Sequence, residues 1–229
     1  MNVGVLFETS GVVRDAFIRA GHNAISYDLE TTERPGPHVQ GDVRNADLSW
    51  LDLAICHPPC TDLAVSGARY FAQKIADGRQ QAALDLVRWC MSIPVRRIAI
   101  ENPVSIISSR IRRPDQIIQP WQFGHAESKT TCLWLTNLPL LSSTEIVDPP
   151  FYGCCGVRFP FALGKYGCQN CGGSGKAKPI YENQTPSGQN RLGPSVRRAT
   201  DRARTYEGIA VAMADQWGHA TQAQGTLAL

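Results

Sequence analysis

Leu51-Asp52-Leu53-Ala54-Ile55-Cys56-His57-Pro58-Pro59-Cys60 reads as a buried strand that runs into a stiff turn and ends on a thiol. Two consecutive prolines restrict the backbone, which places Cys60 on a rim at the strand's end rather than in the core. Downstream, Ala83, Leu84, Leu86, Val87, Cys90 and Met91 fit a helix over 79–91, and 97–100 makes a further strand ending at Glu101-Asn102-Pro103. Upstream, the apolar run 3–7 is followed by the turn-like Glu8-Thr9-Ser10-Gly11. Val12, Val13, Ala16, Phe17 and Ala20 then recur at helical spacing up to Gly21, and residues 23–29 read as a strand ending near Asp28. Strands alternating with helices imply a Rossmann-like, mostly parallel sheet with right-handed crossovers and helices on both faces. Ligands of such sheets sit at the carboxyl ends of the strands, and here the unusual residues fall at those ends.

From 142 to 194 the pattern breaks into glycine, proline, cysteine and polar residues, which marks a small insertion. A helix over 201–217 then carries Tyr206, Ile209, Ala210, Met213, Ala214 and Trp217 as an apolar stripe closed by Gly218, and 219–229 reads as a frayed tail. The expected organisation is one catalytic α/β domain, 1–141 with 195–218, interrupted by the insertion; 229 residues suit one such domain.

The formal charge of +3 does not by itself define a nucleic-acid binder. Its distribution says more: Arg110, Arg112 and Arg113 form one basic stretch, and Arg191, Arg197, Arg198, Arg202 and Arg204 a second. These are two surfaces for a phosphate backbone or two solvated faces. No apolar run approaches the roughly 20 residues of a membrane span, and the N-terminus lacks a signal-peptide pattern. The expectation is therefore a cytoplasmic protein with no membrane partner and eight reduced cysteines. Those thiols then read as nucleophiles, metal ligands or core residues.

Glu101 lies one crossover beyond Cys60, so neighbouring parallel strands would bring a carboxyl and a thiol to one rim. That pair suits addition to a pyrimidine. Carbon 6 of cytosine becomes electrophilic when N3 is protonated or hydrogen-bonded, which a glutamic acid can do, and thiolate addition there makes carbon 5 nucleophilic. A turn cysteine and a plain strand-ending turn are the unreactive alternatives.

In the order Pro59-Cys60, then Glu101-Asn102, after an N-terminal loop, the chain resembles the C5-cytosine DNA methyltransferases, most closely compact members common in bacteriophage genomes. The resemblance covers nearly everything except the insertion. It implies a class I methyltransferase fold, S-adenosylmethionine as donor, and double-stranded DNA with its target cytosine flipped out. Cys60 would be the nucleophile and Glu101-Asn102 the N3 contact. Phe7, Glu8, Ser10 and Gly11 would form the cofactor loop, Asp28 would hold the ribose, Asp42 would lie near the adenine, and Pro59 would flank the cofactor. This loop departs from the family's Phe-x-Gly-x-Gly by keeping only the last glycine, which leaves open a derivative of S-adenosylmethionine as donor. Glu8 could take the donor's ammonium, and Ser10 could equally cap a helix. Lys129 stands where the family places an arginine that meets the flipped base; it keeps the charge and loses the bidentate fork. A monomer is expected, in the bacterial host's cytoplasm if the chain is phage-encoded.

The insertion holds Cys154, Cys155, Cys168 and Cys171. Cys168-Gln169-Asn170-Cys171-Gly172-Gly173 is a knuckle that would bring two thiolates to one structural Zn2+, with adjacent Cys154 and Cys155 completing the set at some cost in strain. His57 would hydrogen-bond a phosphate or pack, and Trp121 and Phe123 would line a base channel or the core. Two other functions use the same residues: a thiol enzyme acting on a free pyrimidine nucleotide, and a non-catalytic, zinc-stabilised DNA-binding protein. An amino-group methyltransferase is disfavoured because Cys60 occupies the place of the stacking aromatic in its Asx-Pro-Pro-aromatic signature.

Overall fold

The computed structural model describes residues 1–155, 157–164, 167–171, 175, 177–185, 190–191 and 204–219. They form two units: Met1–Ile118 with Thr131–Ser142 and Ala210–Leu229, and Gln119–Thr130 with Ser143–Ile209. Arg197, Arg198 and Arg202 of the second basic stretch, Gly172-Gly173 of the knuckle, the expected helix start at 201–203 and the tail 220–229 lie outside the described residues.

The first unit is built on a seven-stranded sheet: β1 (Asn2–Leu6), β2 (Asn23–Asp28), β3 (His38–Gln40), β4 (Leu53–Cys56), β5 (Arg97–Pro103), β6 (Gln116–Ile118) and β7 (Thr131–Thr136), in the order β3-β2-β1-β4-β5-β7-β6. The pairs β2–β3, β1–β2, β1–β4 and β4–β5 are parallel, and β7 runs antiparallel to both β5 and β6. Around it are α1 (Val12–Arg19), α2 (Phe71–Ala76), α3 (Arg79–Ser92), α4 (Ile107–Arg110) and α5 (Glu207–Gly218), the last entering this unit at Ala210.

Alternation along the strands explains the layering. Leu6, Tyr27, Ala54, Cys56, Ile98, Ile100, Cys132 and Trp134 share one core with Leu84, Val87 and Cys90 of α3. Val3, Val5, Leu53, Ile55 and Ala99, also buried, point to the opposite face, where α1 packs on β1 and β2. On α5 the indole of Trp217 donates to the Pro139 carbonyl at 2.9 Å, and the Gln216 amide exchanges hydrogen bonds with the backbone of Ser142. The mostly parallel sheet with helices on both faces is thus as the sequence implies.

Three details differ from that reading. β5 extends to Pro103, so Glu101 and Asn102 are still inside the strand, opposite Leu133 and Cys132 of β7, rather than in a turn beyond it. The last helix begins at Glu207, and Tyr206 lies before it outside any helix. β3 and β6, of three residues each, are too short to show a period.

The second unit contains a three-stranded antiparallel sheet, β8 (Phe151–Cys154), β9 (Val157–Pro160) and β10 (Lys178–Ile180), in the order β10-β8-β9. Segment 119–130 is fastened within this unit. Ser128 and Asn183 exchange two hydrogen bonds of 3.0 and 2.9 Å, and Gly124 donates to the Glu145 carbonyl at 2.9 Å. Among the described residues, no helix is long and apolar enough to cross a membrane.

Candidate active site and cysteine cluster

The parallel register aligns the functional positions. Leu6 faces both Tyr27 and Cys56, and Cys56 faces Ile100. The next residue on each strand is therefore Phe7, Asp28, His57 and Glu101, four neighbours along one carboxyl edge. Asp42 lies two residues past the end of β3, where Gln40 pairs with Asp28 and Gly41 donates to the Asp28 carbonyl. The strand order reverses between β1 and β4, and such switch points open a crevice at the carboxyl edge.

Cys60 is half-buried on the loop after β4, and its carbonyl accepts from the amides of Leu63 and Ala64 at 3.0 and 2.9 Å. That loop is stitched to the end of β5. Asn102, buried, donates its amide to the Pro58 carbonyl at 2.9 Å; Val65 donates to the Val104 carbonyl; Ile106 donates to the Leu63 carbonyl. From the other side Lys74, buried on α2, donates to the Thr61 carbonyl and pairs with Asp62 at 3.4 Å. The loop that bears Cys60 and the end of β5 are thus joined by backbone and amide bonds.

Glu101 is nearly buried and joined to Nδ1 of His57 at 2.9 Å. The sequence offered phosphate binding or packing for His57, and the bond to Glu101 is neither. Its signal was the register, since the residues after paired Cys56 and Ile100 are neighbours. Burial pushes the Cys132 thiol up, and the charge of Glu101 adds to the effect.

The β1 loop has an unusual geometry. Phe7 adopts φ 62°, a left-handed conformation, and Gly11 adopts φ 70°. Glu8, buried, turns its carboxylate onto the start of α1: Oε1 accepts from the Val13 amide at 2.8 Å and the Ser10 hydroxyl at 3.1 Å, and Oε2 from the Arg14 amide at 3.3 Å. Ser10 Oγ accepts from the Val12 amide at 3.3 Å. Both residues thus supply acceptors to the helix's unpaired N–H groups.

Asp28 accepts from the Glu30 amide at 3.0 Å. Asp42 caps a 3-10 turn and binds Arg44 with both oxygens, and those bonds hold its carboxyl below the usual range. A residue the sequence did not single out, Arg14 on α1, is fully buried. It reaches Ser26 and Thr32 hydroxyls at 3.3 and 3.1 Å and the Arg34 carbonyl at 3.1 Å, so it pegs the β2–β3 connection beside Asp28.

Lys129 belongs to the second unit. Its amide donates to Gln119 Oε1 and its Nζ to the Arg204 carbonyl, both at 3.0 Å, and the ammonium lies 5.9 Å from the centre of the Tyr206 ring. Phe123 is core, and Trp121 stacks on Tyr181 at 6.1 Å.

The same unit gathers Cys154, Cys155, Cys168 and Cys171, with all four sulfurs within 4.8 Å of one another. Cys154 Sγ lies 3.6 Å from Cys155 Sγ and 3.7 Å from Cys171 Sγ. Adjacent cysteines can converge because Cys155 takes φ 52°, which folds its side chain back toward its neighbour's. Gly175 donates its amide to Cys171 Sγ at 3.2 Å, and a Cβ there would stand 2.5 Å from Cys154 Sγ. Burial and hydrogen bonds from the other three thiols push Cys154 up to about 12. A tetrahedral thiolate site with Zn–S of about 2.3 Å has sulfur–sulfur edges of about 3.8 Å, so the donor set and its spacing fit Zn2+.

The sheet is of the doubly wound α/β type, with β7 antiparallel to both its neighbours. No family model matches the chain. No curated protein matches it either. Among solved structures, one similar chain is a prophage-encoded E. coli protein named as a candidate DNA modification methyltransferase, at 16% identity and a TM-score of 0.43, over 64% of this chain and 52% of that one. This chain thus spans about half the length of that structure.

Proposed function

We propose that this protein transfers a methyl group from S-adenosylmethionine to carbon 5 of a cytosine in DNA, with Cys60 as nucleophile and Glu101 as the partner of N3. The observation that carries the reading is the coupling of the two segments: Cys60 lies on the loop that follows β4, Glu101 lies in the adjacent parallel β5, and the Asn102–Pro58 bond ties loop to strand.

Asp28 and the loop 7–11 with Pro59 would hold the donor, Asp42 would lie toward its adenine, and the donor supplies an electrophilic methyl group on a sulfonium. The half-exposed Asp28 carboxylate offers acceptors suited to a ribose diol, and Gly11 removes a Cβ where the donor's amino-acid part would approach. Glu8 frames the loop by fixing the start of α1. The target base must leave the duplex to reach Cys60, which costs a few kcal/mol of unstacking. As the Cys60 sulfur bonds to carbon 6, Glu101 meets the charge developing on N3, and carbon 5 becomes the nucleophile. Loss of the carbon 5 proton and release of Cys60 restore the aromatic ring.

The four insertion cysteines would hold one structural Zn2+, giving a segment poor in apolar residues its folding energy.

The test is transfer of labelled methyl from S-adenosylmethionine to a mixed-sequence duplex, followed by nucleoside analysis. Label in 5-methylcytosine with the wild type, and none with Cys60→Ser, is the expected result. A wild-type protein that binds DNA and moves no label would overturn the reading in favour of a binding role or an altered donor.

A further inference from the structure

His57 is held where a proton could be managed. Its Nδ1 is 2.9 Å from Glu101 Oε2, with side-chain exposures of 10% for the histidine and 8% for the glutamate. Its other nitrogen, Nε2, is buried with no hydrogen-bonding partner among the described residues. A histidine with one orphaned buried nitrogen is a poor choice for packing, because an apolar residue would fill the space without that penalty. What distinguishes this ring is its bond to the carboxyl. Titratable groups on the neighbouring elements include Cys132, opposite Asn102 on β7, Cys60 and Asp62 on His57's own loop, Lys74 of α2 paired with Asp62, and Glu8 after β1.

Resting on the reading of Cys60 and Glu101 above, we propose that His57 is a positioning residue for Glu101: it holds the carboxyl by Oε2 and shares with it the single proton that cytosine N3 requires.

The proton count closes. The pair carries one acidic proton in this scheme, shared between imidazole and carboxyl. When Cys60, its thiol proton given up to solvent, bonds through sulfur to carbon 6, the electron pair displaced toward N3 takes the shared proton by way of Glu101, leaving neutral His57 beside the carboxylate. After the methyl joins carbon 5 and water takes the carbon 5 proton, the carbon 6–sulfur bond breaks and Cys60 leaves as the thiolate. The N3 proton then returns to the pair by the same path. A carboxyl alone holds a proton poorly near neutrality, with an ordinary pKa of about 4.3 against about 6.5 for imidazole. An imidazole bonded to the carboxyl offers that proton a second, more basic site.

The experiment follows adduct formation between Cys60 and a duplex containing 5-fluorocytosine, together with methyl transfer, from about pH 5 to about pH 9. It compares wild type with His57→Gln, whose amide can still donate to Glu101 but carries no acidic proton. The expected result is a falling alkaline limb displaced toward acid in His57→Gln, with a loss of about 100-fold near pH 8 and a much smaller loss near pH 5. A parallel loss at every pH, or none, would overturn the proposal and leave His57 a structural group. A wild type that forms neither adduct nor product at any pH would overturn the cytosine reading itself, and this inference with it. If His57→Gln fails to fold, His57→Ala with added imidazole replaces it: restoration of the alkaline limb supports the proton-sharing role, and no restoration overturns it.

Discussion

Asn102 donates its side-chain amide to the carbonyl of Pro58 across 2.9 Å, joining the strand that bears Glu101 to the loop that bears Cys60. Prolines have no N–H to anchor a loop, so a loop opened by Pro58-Pro59 depends on its carbonyls for attachment. Asn102→Asp is isosteric but replaces the donor with an acceptor that faces a buried carbonyl. We expect a loss of about 1–3 kcal/mol of stability in urea unfolding. Asn102→Asp should also change the rate at which Cys60 is alkylated by iodoacetamide. An unchanged alkylation rate would show that the loop is held in place by its other bonds.

Arg14 makes a second prediction. Its guanidinium is fully buried and serves the Asp15 carboxylate, two hydroxyls and the Arg34 carbonyl. Arg14→Met preserves much of the volume and strands those acceptors. Breaking such a buried network destabilises by about 3 kcal/mol. The effect should centre on the β2–β3 connection, and cleavage by a glutamate-specific protease after Glu30 or Glu33 should accelerate before global unfolding does. Equal cleavage rates in the two proteins would mean that the connection does not depend on the peg.

These two bonds show where the sequence stops being readable. Cys60 and Glu101 were legible because each closes an apolar run, and strand ends in α/β sheets collect chemistry. His57 was not, since its partner emerges only when β4 and β5 are known to be neighbours in register. Arg14 occupies a position on α1 that reads as solvent-facing, and only the loop folded over it makes it core. The sheet of the second unit escaped because its strands have three or four residues, fewer than a period needs to declare itself. The cysteine cluster was legible as composition, whereas the left-handed backbone at Cys155 that lets adjacent thiols converge was not.

Gly175 provides a test of the metal reading that spares all four thiols. A methyl group there would press on Cys154 Sγ and displace the amide that bonds Cys171. Zinc measured by mass spectrometry should be one per wild-type chain. Gly175→Ala should weaken zinc affinity about 10–100-fold, the usual effect of disturbing groups that orient ligands. Chelation of the wild type should lower its thermal midpoint. A purified protein without zinc that takes up none on titration would leave the cysteines as a thiol cluster.

Glu8 separates two roles that one carboxylate can play. Its oxygens accept from the Val13 and Arg14 amides and the Ser10 hydroxyl, an arrangement that stabilises the start of α1 through hydrogen bonding and through negative charge at the positive end of the helix. Glu8→Gln keeps an acceptor but removes the charge, so stability should fall by about 1 kcal/mol. Glu8→Ala removes both, and should cost about 2 kcal/mol, at the upper end for a lost cap. Because the carboxylate already serves the helix, donor affinity in Glu8→Gln, measured by calorimetry, should stay within about threefold of wild type, less than 1 kcal/mol. A fall of tenfold or more at unchanged stability would assign the charge to the donor's ammonium instead, and would make this acidic loop a recognition element in place of the glycines it lacks.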